Sequence, residues 1–241
     1  MDQLNRRAFI ATAAAAASAS SLSAGFQEPL NVQLYTVRNE LAKDPKSTLE
    51  AIRRIGYAYV EPSRPQMLKI EPLCKDLGLK TPAGHFEAPL VTGNFEPWKA
   101  ALAGTVPPGY DWKKAVEQAR GWGMKYMVIS YLMKSERDAP GFYEKFCDQM
   151  NQAGETARKA GVTLCYHHHS FEFEPVNGRR AIDTMIARFD PNLVKFQIDT
   201  FWVKAGGDDP PAVISKLKGR VALVHLKDVQ SAAFREYQES K

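Results

Sequence analysis

Ligand-type side chains gather near the ends of three successive predicted strands. They are Tyr166-His167-His168-His169 with Phe171-Glu172-Phe173, then Ile198-Asp199-Thr200, then Val224-His225-Leu226-Lys227-Asp228. Each interval, His169 to Asp199 and Asp199 to His225, holds about one strand and one covering helix. Parallel strands point their C-terminal ends the same way, so an imidazole, a carboxylate and a second imidazole converge at one rim. Neutral imidazole with carboxylate suits divalent Mn, Zn, Co or Fe, and a metal is the natural occupant of such a rim.

The elements that must position these groups follow from periodicity. Short apolar strands alternate with longer helical patterns, the signature of repeated βαβ units. Strands are predicted over 31–36, 57–61, 79–84, 125–130, 163–169, 195–199 and 222–226. Most are entered from a helix through a glycine turn: Ile55-Gly56-Tyr57, Leu77-Gly78-Leu79, Trp122-Gly123-Met124 and Ala160-Gly161-Val162. Glycine there can adopt the left-handed conformation that ends a helix. The helices show one apolar face each, as in Phe142, Phe146, Met150 and Ala153. The longest irregular stretch, 87–110, follows a strand end and is expected to be an active-site loop rather than a linker.

An open doubly wound sheet would carry a Gly-rich phosphate loop after its first strand, and no G-x-G-x-x-G occurs. Polar or ionisable groups stand instead at the ends of nearly every strand: Gln33, Glu61, His85, His167, His169, Asp199 and His225. That distribution favours a closed barrel, whose chemistry lies at the C-terminal rim.

Composition narrows the function classes. The net charge is +5, and it falls by one when residues 1–24 with Asp2, Arg6 and Arg7 are set aside. Charges are interspersed, with no basic stripe beside aromatics, which speaks against nucleic acid as a partner. The 3 cysteines, Cys74, Cys147 and Cys165, are widely spaced and form no C-x-x-C, so neither a cysteine zinc module nor a disulfide scaffold is expected. Asn5-Arg6-Arg7, an Ala-rich apolar stretch and Leu22-Ser23-Ala24 have the order of a twin-arginine leader. The expectation is a cleaved signal over 1–24, export to the periplasm, a barrel domain over 25–241, and no stable membrane span.

Five motifs in order resemble the sugar phosphate isomerase/epimerase group of the xylose-isomerase-like TIM barrels. They are Leu34-Tyr35-Thr36-Val37-Arg38, Gly56-Tyr57 through Val60-Glu61, Tyr166-His167 through Glu172-Phe173, Ile198-Asp199-Thr200 with Trp202, and His225-Leu226-Lys227-Asp228. The resemblance implies a (β/α)8-type barrel and a divalent metal, Mg included among its identities, that holds a sugar or polyol by adjacent oxygens. It implies proton transfer beside a carbonyl through an enediolate, giving isomerisation or epimerisation. Expulsion of a β-leaving group from the same intermediate makes the alternative, a lyase or dehydratase on a keto-sugar or keto-polyol.

By this resemblance Asp199 and His225 correspond to metal ligands, and one of His167 and His169, which share a strand face, joins them. His169 is assigned as the third ligand, His167 with His85 and Trp202 to substrate, and Glu172, Glu61 and Lys227 to proton transfer and oxyanion neutralisation. His168 is expected to pack outside the barrel. Relatives carry an eighth strand with a further glutamate ligand. Here only Val229 to Lys241 follow the seventh strand, with a short helix or a frayed tail expected at 231–237. The expectation is therefore an incomplete barrel of seven identifiable strands, with unpaired edges that invite self-association and, as a further alternative, a non-catalytic fold. The DNA-repair endonucleases of the same superfamily are a distant third reading, disfavoured by the mixed surface charge.

Overall fold

The computed structural model describes residues 30–176 and 178–228. The leader predicted over 1–24 and the helix or frayed tail predicted at 231–237 lie outside the described residues. So does any strand after residue 228.

Seven parallel strands follow one another in chain order. β1 (Asn31–Gln33) pairs with β2 (Tyr59–Glu61), placing Gln33 opposite Glu61. β3 (Ala83–Phe86), β4 (Tyr126–Ile129) and β5 (Thr163–His167) continue into a five-stranded sheet. A short antiparallel hairpin, β6 (Pro175–Val176) and β7 (Arg179–Arg180), interrupts the series. β8 (Val194–Asp199) and β9 (Val221–His225) complete the sheet, with Asp199 opposite His225. Two isolated bridges, Tyr59 with Lys80 and Ser63 with His85, join the β1–β2 pair to β3. Among the described residues β1 and β9 are each paired on one side only.

Helices cover the sheet between strands: α1 (Arg38–Lys43), α2 (Pro45–Ile55), α3 (Arg64–Asp76), α4 (Trp112–Gly121), α5 (Phe142–Lys159), α6 (Ala181–Arg188), α7 (Thr200–Ala205) and α8 (Pro210–Lys216). Their starts are written locally. Asp44 accepts from the Ser47 amide ahead of Pro45, and Ser63 and Gln66 form a reciprocal capping box that launches α3 directly from the end of β2. The predicted glycine turns occur at all four positions, with Gly56 at φ 111° and Gly161 at φ 77°.

Three predicted strands are corrected. The first ends at Gln33, because Leu34–Val37 coils into a 3-10 turn whose Tyr35 amide is taken by the Gln33 side chain at 2.8 Å. The third runs over 83–86 rather than 79–84. Pro82 has no N–H to give a ladder, so it separates the isolated bridge at Lys80 from the continuous strand that starts at Ala83. The fifth stops at His167, leaving His168 and His169 beyond the sheet.

Alternation along the central strands sorts side chains between two faces. Tyr166 and Phe196 turn toward the helices, where they meet Phe146 and Phe189 at ring-centroid distances of 5.6 to 5.9 Å. Each of these buried aromatics contributes about 2–3 kcal/mol of hydrophobic stabilisation. Cys165, His167, Gln197 and Asp199 take the opposite parity and face inward.

The long stretch after β3 is packed as wall. Glu87 is forked to buried Arg64 by bonds of 2.8 and 2.9 Å, joining the rim ends of β2 and β3. Glu136, 3% exposed, accepts from Trp98 Nε1 at 2.7 Å and from the Met133 amide at 3.2 Å, which fastens the loop to the segment after β4. No helix among the described residues is long and apolar enough to cross a membrane.

Candidate metal centre at the strand ends

Glu61, the last residue of β2, is the hub. It is 3% exposed, and its Oε1 lies 2.6 Å from His85 Nε2 and 2.8 Å from His225 Nε2. Gln197 Nε2 donates to both of its oxygens, at 3.1 and 3.0 Å. A carboxylate only accepts, so both imidazoles present N–H to it. On the far side of His225, Nδ1 stands 3.7 Å from Asp199 Oδ2, while Lys227 Nζ reaches that same oxygen at 2.7 Å. Asp199 Oδ1 caps α7 through the Phe201 and Trp202 amides at 3.0 and 3.2 Å. The helix thus fixes one oxygen and leaves the other facing the cluster.

Electrostatics follow from this crowding. Burial pushes Glu61 up, but His85 and His225 outweigh it and hold the carboxyl well below the usual range. Burial likewise opposes ionisation of Asp199, and His225 and Lys227 facing it keep it lowered. His225 loses by burial and gains more from Asp199 and Glu61, ending at about 9. His167, fully enclosed and next to other imidazoles, is driven well below its ordinary value. Two anionic carboxylates around one imidazole therefore make a pocket that selects positive charge.

Two sets of potential ligand atoms lie within 4.8 Å of one another: Glu61, His85 and His225, and His167, Asp199 and His225. His225 belongs to both. The donor chemistry of imidazole and carboxylate fits a divalent cation. His167 Nδ1 is buried without a hydrogen-bond partner, as a free donor should be.

The structure brings together seven of the nine predicted site residues. Asp199, His225, His167, His85, Glu61 and Lys227 meet around the hub or its Asp199 flank, and Trp202 stands beside them with the Lys227 ammonium 5.8 Å over its ring. His169 is not in either ligand set. The chain leaves the sheet after His167, yet the His169 ring lies 5.0 Å from that of His167 and packs on Phe171 at 5.6 Å and Trp202 at 5.1 Å, at the edge of the cluster. His167, expected to face substrate, is the histidine of the triplet whose ring atoms fall within a potential ligand set.

Glu172 is also elsewhere. Its oxygens accept from Tyr166 OH at 2.5 Å and the His169 amide at 2.8 Å, on the helix-facing side of β5. Burial raises its carboxyl to about 7 against the pull of these donors. Gln197 was not foreseen, although its position two residues before Asp199 on one strand places both on one face.

Parallel strands alternating with helices, with ionisable residues collected at the C-terminal strand ends, define a TIM-barrel fold with its candidate site at the rim. The chain belongs to the xylose isomerase-like TIM barrel family, whose model matches residues 49–238. It is similar to an inosose dehydratase of Clostridium beijerinckii, with 27% identity over 132 residues, 49% of this chain and 44% of that protein. The match thus spans under half the length of that curated relative. Among solved structures, a sugar phosphate isomerase/epimerase from Parabacteroides distasonis superposes with a TM-score of 0.68 at 24% identity, covering 84% of this chain and 79% of that one. The IOLI protein, solved with a bound zinc atom, superposes with a TM-score of 0.59 at 16% identity, covering 88% and 77%.

Proposed function

We propose that this protein removes the proton next to the carbonyl of a polyhydroxy ketone and expels the neighbouring hydroxyl as water. The observation that carries this is the Glu61 hub: one buried anionic carboxylate shared by His85 and His225, with Asp199 on the other side of His225. The dehydratase named among the relatives favours loss of water over simple return of the proton.

His167, Asp199 and His225 would hold a divalent cation, as the zinc-bearing neighbour also suggests. Such an ion supplies Lewis-acid polarisation of the carbonyl oxygen. The rest belongs to the chain's own side chains. His85, oriented by its Nε2–H bond to the Glu61 carboxylate, takes the proton from carbon and passes it to the departing hydroxyl. The C–H electrons form the new double bond while the C–O bond breaks, and water leaves. Gln197 holds the Glu61 carboxylate in plane through its two bonds. Lys227 and Trp202 form the outer lip, where a cationic and an aromatic group suit a sugar-like ring.

Isomerisation or epimerisation is the second reading, because the same histidine can return the proton to carbon. Export through the twin-arginine route is part of the proposal as well. It rests on Arg6-Arg7 and the small-residue stretch to Ala24, and cell fractionation that finds the intact leader in the cytoplasm would remove it.

The test is incubation of the manganese- or zinc-loaded protein with an inosose in deuterium oxide, followed by NMR. An unsaturated, water-depleted product that disappears in Glu61→Gln supports the dehydratase. Deuterium incorporation without water loss supports the isomerase reading. A folded, metal-loaded protein that does neither overturns both and leaves a binding role.

A further inference from the structure

The parallel ladder between β5 and β8 pairs Leu164 with Val194 and ends with His167 opposite Gln197. The β5 backbone then departs, while β8 continues for two more residues to Asp199. The Asp199 amide would therefore face a missing neighbour. It donates instead to the imidazole Nε2 of His168, at 3.2 Å. The ring thus stands in for the next rung of the sheet.

That bond settles the chemistry of the ring. A backbone N–H must donate, so Nε2 carries the lone pair and Nδ1 carries the proton. Nδ1 lies 3.2 Å from the His169 carbonyl, an acceptor in the matching role. One neutral tautomer satisfies both contacts. The ring is 0% exposed and is seated edge-on against Phe173 at 5.1 Å.

The consequence falls on Asp199. Its Oδ1 is held by two amides of α7, its amide is held by His168, and only Oδ2 faces His225 and Lys227. Removing the His168 contact frees the backbone from which the carboxylate hangs. We propose that His168 is a positioning residue, which fixes the Asp199 carboxylate toward the cation centre by completing the β8 ladder from behind. This rests on the cation reading of His167, Asp199 and His225 given above. It gives a function to a buried histidine that neither ligand set contains.

The test is cobalt(II) and zinc(II) binding to the full chain, followed by the cobalt absorption spectrum and by zinc competition against a chelating dye. Three variants separate the contacts. His168→Gln places an acceptor where Nε2 was; His168→Asn places a donor where Nδ1 was and leaves the Asp199 amide bare; His168→Phe offers neither. The expected result is affinity within about 3-fold of wild type for His168→Gln and a loss of about 10- to 100-fold for His168→Asn and His168→Phe, the range typical of groups behind a ligand. The cobalt bands shift in the two weakened variants only.

If His168→Phe does not fold, the comparison of Gln with Asn still decides. Equal affinity in those two variants, or wild-type affinity in a folded His168→Phe, overturns the proposal. Absence of cobalt and zinc binding in the wild type overturns the cation reading itself and is distinguishable from both.

Discussion

Raising the pH on chelator-treated protein tests the charge balance of the cluster directly. His225 lies between Glu61 and Asp199, and its imidazolium persists to about 9 against an ordinary 6.5. Over that interval the folded protein keeps a proton that the unfolded chain releases. Stability from this group is therefore fully present below about pH 6.5 and is lost as the pH rises through about 9. At about 1.4 kcal/mol per pH unit, the loss is on the order of 3 kcal/mol. Glu61 and Asp199, both lowered, are ionised in folded and unfolded chains alike across this window and add no slope. Urea unfolding in EDTA, at steps between about pH 6.5 and 9.5, measures the effect in wild type and in His225→Gln. The wild-type curve should fall more steeply by roughly 3 kcal/mol across the window. Parallel curves would refute the assignment of an imidazolium held between two carboxylates.

Glu172 gives a second pH dependence in a lower window. Its folded value of about 7 stands above the ordinary 4.5, so its protonated form favours the fold and stability declines as pH climbs between those values. Glu172→Gln should flatten that decline, worth about 3 kcal/mol, in urea titrations at about pH 5 and 7; an unchanged slope would sink the idea. Gly154→Ala tests packing far from the rim. An added Cβ on α5 would meet the Leu193 carbonyl oxygen at 2.5 Å, and the forced shift should cost about 1–3 kcal/mol in chemical denaturation, with the cation affinity of the folded variant unchanged.

The strand–helix series was legible because each strand advertises itself twice, by an apolar run and by the glycine that ends the preceding helix. Strand ends were less legible, since they depend on what the backbone meets. Gln33 turns its side chain onto the Tyr35 amide, Pro82 cannot donate, and β5 leaves the sheet two residues before the triplet of histidines is finished. That last detail decides which histidine keeps a place in the ladder, opposite Gln197. Alternation alone treats His167 and His169 as equals, whereas a strand ending at 167 separates them.

The hub role of Glu61 was hidden for a different reason. Its partners lie on β3, β8 and β9, with Gln197 and His225 far along the chain, and spacing cannot distinguish a carboxylate that gathers four strands from one that waits as a base. Glu172 shows the converse. It sits in the right motif, yet Tyr166 on the helix-facing side of β5 claims it.

Glu61 belongs to the β1–β2 pair, whereas His85, Gln197 and His225 belong to the five-stranded sheet, and only two isolated bridges join the two sheets through the backbone. The centre therefore straddles a seam. Whatever grips Glu61 together with the histidines also rivets that seam, so the free energy of occupancy is shared with closure of the wall. The amides of β1 and β2 should then exchange with solvent according to the state of the centre, while those of β4, β5 and β8 follow global unfolding. Hydrogen exchange at the first two strands becomes a gauge of what the rim is holding.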